Sequence, residues 1–213
     1  MLISLIKKDF ILVKKQMFFL LAFAIFIPMF LYSKSTDSIM DIVILPITAI
    51  FALFQINSSI YAIEEKYKGS VLLSTTPYTR GSLVKARYAF FIIVLALVVA
   101  INYIMAFIPM LSLPVPAYTA LAIALLVSSV YLSALIPLQY KFGVDKTRYI
   151  SFLVVFAMPF IAPYVAKIIS KYNISINLPV SPIMQALVMI GLAVIFYIIS
   201  MVVSIKIYSK KNF

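Results

Sequence analysis

The longest polar interval of the chain covers residues 64–88 and reads EEKYKGSVLLSTTPYTRGSLVKARY. It carries seven of the 24 charged side chains in a sequence that is only 11% charged. Apolar runs flank it on both sides, residues 42–63 before it and 88–111 after it. Both runs are long enough to cross a bilayer, since a membrane-spanning helix needs about 20 predominantly apolar residues. The interval is therefore predicted to be a structured loop at a membrane face, and a loop of that length usually has a function.

The composition is that of an integral membrane protein. Hydrophobic residues make up 65% of the chain, and its mean hydropathy is +1.14. Soluble domains are roughly half apolar and a quarter charged. The 213 residues accommodate about six spans with short loops. We expect one all-α transmembrane domain over residues 1–213.

The net charge of +12 does not by itself indicate a nucleic-acid partner. Membrane proteins concentrate Lys and Arg at their cytoplasmic face, and we favour this explanation of the charge. The chain has no cysteine, which excludes disulfide and thiol chemistry, and no histidine, the commonest metal ligand and general base. We expect no catalytic residue, metal site or cofactor in this chain.

The first 16 residues, MLISLIKKDFILVKKQ, predict an amphipathic helix. Leu2, Ile6, Phe10 and Val13 recur at three- and four-residue spacing and share one helical face, while four lysines occupy most of the rest. This pattern is typical of a helix that lies in the membrane interface. A basic flank that only sets the orientation of the first span is the alternative.

Six apolar segments predict transmembrane helices, and they cover residues 17–32, 42–63, 88–111, 119–139, 149–166 and 183–205. Residues 140–148 are expected to form a short charged loop and residues 167–182 a longer one. Pro159 and Pro163 are expected to kink or break the fifth span. Ser181 and Pro182 open the sixth, with the proline in its first turn.

The distribution of Lys and Arg predicts the orientation. With both termini in the cytoplasm, fifteen cations face the cytoplasm and three face outward. The opposite orientation would reverse this strong bias. The polar interval, taken as residues 64–87, is therefore predicted to be cytoplasmic.

The second half of span two is unusually polar, with Gln55, Asn57, Ser58 and Ser59 in one stretch. Such a face meets another helix or lines a water-filled path rather than lipid. These four residues are our candidates for a translocation path. No Asp, Glu, Lys or Arg lies inside a predicted span, which argues against ion-coupled transport and intramembrane hydrolysis. The pattern favours an apolar or amphipathic substrate that is moved with energy supplied elsewhere.

Within the polar interval, the helix of span two is expected to run on to Lys68 and to end at Gly69. The carboxylates of Glu64 and Glu65 are disfavoured near a helix C-terminus, so they are expected to meet cations from elsewhere. Residues 71–73 predict a short apolar helix that ends before a proline. Thr79 is expected to cap the next helix, which leads into span three.

This order of features resembles the permease subunits of type 2 ABC exporters, which have six spans, an N-terminal elbow helix and a cytoplasmic coupling helix between spans two and three. The resemblance in the loop rests on Glu64-Glu65-Lys66, Lys68-Gly69, Leu72-Leu73-Ser74, Pro77-Tyr78-Thr79-Arg80 and Val84-Lys85. Thr76 and Tyr78 depart from the usual pattern, in which leucine precedes the proline and an aliphatic residue follows it. The resemblance covers the loop by motif and the whole chain by topology.

The resemblance implies a half-transporter that pairs with a second permease, as a homodimer or heterodimer, and rests on a separate ATPase subunit. No GxxxxGK[ST] motif occurs in this chain, so ATP and Mg are expected in the partner. The resemblance implies these ATPase-docking residues: Glu64, Glu65, Gly69, Ser70, Val71, Leu72, Leu73, Ser74, Thr75, Thr76, Pro77 and Arg80. A loop that only caps its own helices is the alternative.

The small size and short outer loops are similar to bacterial permeases that export amphipathic peptides such as phenol-soluble modulins, and also to those that give immunity to bacteriocins or antibiotics. The expected function is ATP-driven export of an amphipathic or hydrophobic substrate, a peptide or toxin, across the plasma membrane. The alternative is a membrane scaffold or immunity protein that does not transport and that binds a cytoplasmic partner.

Overall fold

The computed structural model describes residues 2–34, 40–67, 79–108, 115–171 and 181–210, and within these ranges the chain is helical without strands. The helices are α1 Leu2–Leu12, α2 Lys14–Lys34, α3 Met40–Lys66, α4 Arg80–Ala106, α5 Tyr118–Phe142, α6 Val144–Lys171 and α7 Pro182–Ser209. Five of these described helices are long and apolar enough to cross a membrane: α2, α3, α4, α5 and α7. The chain is thus an all-α membrane protein. Helix α6 covers the predicted fifth span, and the six-span plan stays a prediction.

Two expected connections differ in the structure. The charged loop over residues 140–148 is replaced by one residue, Gly143, between α5 and α6. Glycine adopts this φ of 87° without steric cost, so one residue is enough to connect the two helices. Helix α6 also runs on to Lys171, into residues expected to form a loop. It continues through Pro159 and Pro163 without a break, and a kink at these prolines stays a prediction. A proline removes one backbone hydrogen bond and need not end a helix whose other bonds persist.

Two other helix ends differ from the predicted limits. Helix α3 ends at Lys66, two residues before the expected end. Helix α4 ends at Ala106 rather than near residue 111, because the N–H of Phe107 donates to the carbonyl of Ile104 in a tighter final turn. Ile108 precedes Pro109, and the residue before a proline avoids helical geometry.

Two predicted helix starts are confirmed. The Thr79 side chain accepts a hydrogen bond from the N–H of Ser82 at 3.3 Å and so caps α4. Ser181 is the N-cap residue of α7, and Pro182 follows in the first turn. Both starts are local, which is why the sequence alone predicts them.

Helix α3 lies at the centre of the bundle. In its apolar window 61% of the residues are buried, against 17% in each of α2 and α7. Leu53, Ile56 and Ile60 of α3 are buried in one core with Phe91 of α4 and Leu132 of α5. The outer sides of α2 and α7 are exposed and apolar, which suits contact with lipid rather than water.

Hydroxyl groups join α7 to its neighbours. The Ser200 hydroxyl donates to the carbonyl of Ser133 in α5 at 3.1 Å. The Tyr88 hydroxyl of α4 lies 2.6 Å from Ser200 Oγ and 2.9 Å from Ser204 Oγ. Because the proton of Ser200 is already donated, Tyr88 donates to Ser200 and accepts from Ser204. These hydrogen bonds fix the alignment of α4, α5 and α7 with one another.

Helix α1 packs against α4 rather than standing apart from the bundle. Leu5 and Asp9 are buried, as is Val13, which follows the last residue of the helix. The rings of Phe10 and Phe90 meet edge to face, with their centroids 4.9 Å apart. Leu2 is exposed, although the spacing places it on the apolar face. The buried side of this helix therefore contains an aspartate, which needs a partner.

Candidate functional site

Four charged side chains converge where α1, the end of α3 and the start of α4 meet. Arg87 of α4 forms an ion pair with Glu64 of α3 through Nη2 and Oε1. Its Nε lies 3.6 Å from Asp9 Oδ2 of α1. Lys8 Nζ lies 3.4 Å from Glu64 Oε1, and it lies 3.1 Å from Asp9 Oδ1 without the alignment of a hydrogen bond. We call Lys8, Asp9, Glu64 and Arg87 the charge cluster.

The charge cluster is neutral and largely buried. The side chains of Asp9 and Arg87 are only 3% and 7% exposed, and Glu64 is 16% exposed. The Arg87 guanidinium also lies over the ring of Tyr61, with Cζ 5.1 Å from the ring centroid. Buried charges require partners, and here each has at least one of opposite sign. The cluster joins residues that are far apart in sequence into one contact.

A second contact closes the same end of the bundle. Arg80, at the start of α4, donates from Nη1 to the carbonyl of Ser209 at 2.9 Å and to that of Tyr208 at 3.5 Å. Carbonyls in the last turn of a helix lack intrahelical donors, and a cation there also meets the negative end of the helix dipole. Arg80 therefore caps the C-terminus of α7.

The predicted docking residues fall into two groups. Glu64 and Arg80 are described, and both bind other parts of this chain. The side chain of Glu65 and all of residues 69–77 lie outside the described residues. The expectation that Glu64 meets cations from elsewhere is confirmed, since Lys8 and Arg87 belong to other helices. Docking itself stays a prediction.

Three of the four predicted path residues line one groove. Gln55, Ser58 and Ser59 of α3 border an open groove of about 720 Å³ between α2, α3 and α6. Its other lining residues are Gln16, Phe54, Ala62, Ile63, Arg148, Tyr149 and Phe152. The lining thus combines neutral polar groups, aromatic rings and a single cation. We call this feature the polar groove.

Asn57 lies behind the polar groove rather than in it. With Tyr61 and Gln139 it borders a space of about 10 Å³ that also touches Ser58 and Arg148. All three side chains are buried, at most 7% exposed, and the Asn57 Oδ1, Tyr61 hydroxyl and Gln139 Oε1 have no hydrogen-bond partner within the described part of the chain. That volume is about enough for one water molecule.

The sequence analysis missed several of these residues. Asp9 is the only acidic residue among the first 16, beside four lysines, and that isolation was the available signal. Arg87 was counted only as a cytoplasmic cation. Gln139 and Arg148 carry no local signal that sets them apart from other residues near helix ends.

Residues 4–209 match the family model described as ABC-2 family transporter protein. The chain belongs to this family. No curated protein and no solved structure gives a significant match. The match covers nearly the whole chain, with all the described helices apart from the first two residues of α1, so it concerns the entire bundle and not one motif.

Membership makes the chain a multi-pass membrane component of an ABC transporter, a transport subunit rather than an enzyme. It implies an ABC-type ATPase as partner. The expected resemblance to an ABC permease is thereby confirmed at the level of the family.

Proposed function

We propose that this chain is the membrane-spanning half of an ATP-driven exporter for an amphipathic or hydrophobic substrate, namely a peptide or toxin. The proposal rests on the family match together with the polar groove. A groove between candidate spans, lined by both aromatic and polar side chains, suits a molecule with an apolar side and a polar side.

The lining residues support this substrate class. Phe54 and Phe152 offer apolar surface, whereas Gln55 and Ser58 offer hydrogen bonds. Among the described residues that line the groove, Arg148 is the one that carries a charge. A strongly cationic small molecule would meet repulsion from that guanidinium, and a purely apolar one would leave the amides and hydroxyls without partners. An amphipathic peptide avoids both costs.

The proposed architecture has six spans, with α6 as the fifth and α1 as an elbow helix at the inner face of the bacterial plasma membrane. Both termini and residues 64–87 are cytoplasmic in this proposal. Two permeases, identical or different, pair in the membrane, and each rests on an ATPase subunit that binds ATP and Mg. Closure of the ATPases shifts the bundles between inward-open and outward-open states, and the substrate must bind these two states with different affinity.

The partner is tested by purifying tagged chain from its native membrane in mild detergent and identifying co-purified proteins by mass spectrometry. A stoichiometric P-loop ATPase is expected. Replacing Leu72 and Leu73 together with Asp should remove the ATPase, whereas Lys85→Glu, a change at an exposed residue of α4, should keep it. Folded chain that carries no ATPase would refute the proposal and favour the scaffold or immunity function.

Glu64 needs a variant that separates its two roles. Reversing Glu64 alone would break the pair with Arg87, so loss of the ATPase would not prove direct docking. Reversing all four charges of the cluster, with Glu64→Arg, Arg87→Glu, Lys8→Asp and Asp9→Lys, keeps opposite signs at every contact. If this variant loses the ATPase while remaining folded, Glu64 contacts the partner; if it keeps the ATPase, Glu64 serves the chain itself.

The substrate class is tested on the purified complex in lipid nanodiscs. An added amphipathic peptide should raise the ATPase rate several-fold. Gln55→Leu with Ser59→Leu should weaken this stimulation and leave the basal rate unchanged. Ser33→Leu, at an exposed position at the far end of α2, is the matched control. An ATPase rate unaffected by peptide would exclude the peptide as substrate.

A further inference from the structure

The charge cluster divides into two neutral pairs. Lys8 and Asp9 are neighbours on α1, with Nζ and Oδ1 3.1 Å apart. Glu64 and Arg87 pair between α3 and α4. Two contacts join the pairs: Lys8 Nζ donates a hydrogen bond to Glu64 Oε1 over 3.4 Å, and Arg87 Nε lies 3.6 Å from Asp9 Oδ2. The closest contact therefore lies between α3 and α4, and two longer contacts bind α1 to these helices.

We infer that the charge cluster is a releasable latch, in which Glu64 and Arg87 position α1 against the helix ends that flank residues 68–78. Separating α1 from the bundle leaves each side neutral and internally paired. A single buried charge on α1 would make release costly, because its partner would remain buried and unpaired. With two pairs, the cluster fixes the position of α1 and still permits it to leave.

The remaining contacts of α1 are consistent with reversible docking. Leu5 and Val13 are buried, and Phe10 packs on Phe90, so a small apolar face holds the helix. Ile3 and Ile11 on the other sides are exposed. If the proposed function is correct, on which this step rests, an ATPase that moves the ends of α3 and α4 would pull on α1 through the cluster.

The latch can be tested on the chain alone, because the sequence contains no cysteine. Leu5→Cys introduces one thiol at a position that is 3% exposed. It should react slowly with a maleimide in mild detergent. The charge exchange Glu64→Arg with Arg87→Glu should accelerate labelling at least tenfold, because Lys8 then faces an arginine and Asp9 a glutamate. Lys85→Glu, on the exposed side of α4, is the control and should leave the rate unchanged.

A variant with all four charges of the cluster reversed tests whether the cluster holds α1 against the bundle. Adding Lys8→Asp and Asp9→Lys to the exchange restores opposite signs at every contact, so protection of the thiol should return. A thiol at Ala122, which is fully buried in α5, reports whether the bundle stays folded. If the two-residue exchange leaves Leu5→Cys protected, or the four-residue reversal fails to restore protection, the latch is refuted.

The link to transport is tested separately on the complex with its ATPase. Labelling of Leu5→Cys should differ between the nucleotide-free complex and the complex trapped with ATP and vanadate. An equal rate in both states would show that α1 stays docked through the cycle and would overturn release as a step of transport. If no ATPase co-purifies, the proposed function fails, whereas the experiment on the chain alone still decides the latch.

Discussion

Neutralising the charge cluster one residue at a time is expected to give non-additive losses of stability. The three chains to compare are Arg87→Gln, Glu64→Gln and the double variant. The wild-type cluster carries no net charge. Arg87→Gln leaves the cluster with a net charge of −1, and Glu64→Gln leaves it with a net charge of +1. The double variant is again neutral and keeps the Lys8–Asp9 pair.

The magnitudes follow from burial and remaining partners. Removing one member of a buried pair costs about 3–5 kcal/mol. Arg87→Gln should lower the free energy of unfolding by about 3 kcal/mol, at the low end of this range, because the partly exposed Lys8 still lies near both carboxylates. For Glu64→Gln we expect about 1–2 kcal/mol, since Arg87 keeps Asp9 at 3.6 Å and an amide oxygen can accept its hydrogen bond. The double variant should lose about 2–3 kcal/mol, so the coupling energy is about 2 kcal/mol.

The assay is reversible unfolding of the purified chain in mixed detergent micelles, followed by far-UV circular dichroism. Lys85→Gln, an exposed neutralisation in the same helix, should change the free energy of unfolding by no more than about 0.5 kcal/mol. Losses that simply add in the double variant would show that Glu64 and Arg87 act independently. A loss for Arg87→Gln no larger than that of Lys85→Gln would refute the cluster itself.

Three further changes test other contacts. Tyr88→Phe should cost about 1–2 kcal/mol in the same unfolding assay, because Ser200 and Ser204 lose their shared buried partner. Arg80→Ala should raise hydrogen–deuterium exchange in the last turn of α7, whose carbonyls it binds, without changing exchange in α5. Gly143→Ala should cost about 1–3 kcal/mol through backbone strain alone, because φ 87° with ψ 170° is a conformation nearly restricted to glycine and a Cβ there meets nothing within 4 Å; a neutral result would show that the connection between α5 and α6 adopts another conformation.

The helices and their local caps could be predicted from the sequence, whereas the contacts between distant helices could not. Thr79 caps α4 through a residue three positions away, so spacing alone indicates it. The pairing of Asp9 with Arg87 joins residues 78 positions apart, and helical periodicity carries no information about such a partner. The spacing also predicts the apolar face of α1. It does not predict that Asp9 is buried on that helix, because the burial depends on the ion pair with Arg87.

The same limit applies to the four candidate path residues. Polarity within an apolar run predicts that this part of α3 avoids lipid, and Gln55, Ser58 and Ser59 line the polar groove. Their place in a translocation path stays a prediction. The sequence could not separate them from Asn57, which lies behind the groove. That distinction depends on how α5 and α6 pack against α3, and in particular on Gln139 beside Asn57.

The two polar regions differ in the kind of group that they bury. In the charge cluster every charged group has a partner of opposite sign, although Asp9 Oδ1 and Arg87 Nη1 form no hydrogen bond within the described part of the chain. Next to the polar groove, the polar atoms of Asn57, Tyr61 and Gln139 are buried without partners in the described part of the chain. Each such group costs about 1–3 kcal/mol unless water or a ligand binds it. Departures of this kind from ideal packing tend to occur at functional sites. The cluster therefore fits a positioning role, and the face of α3 beside the groove fits the binding of substrate or water.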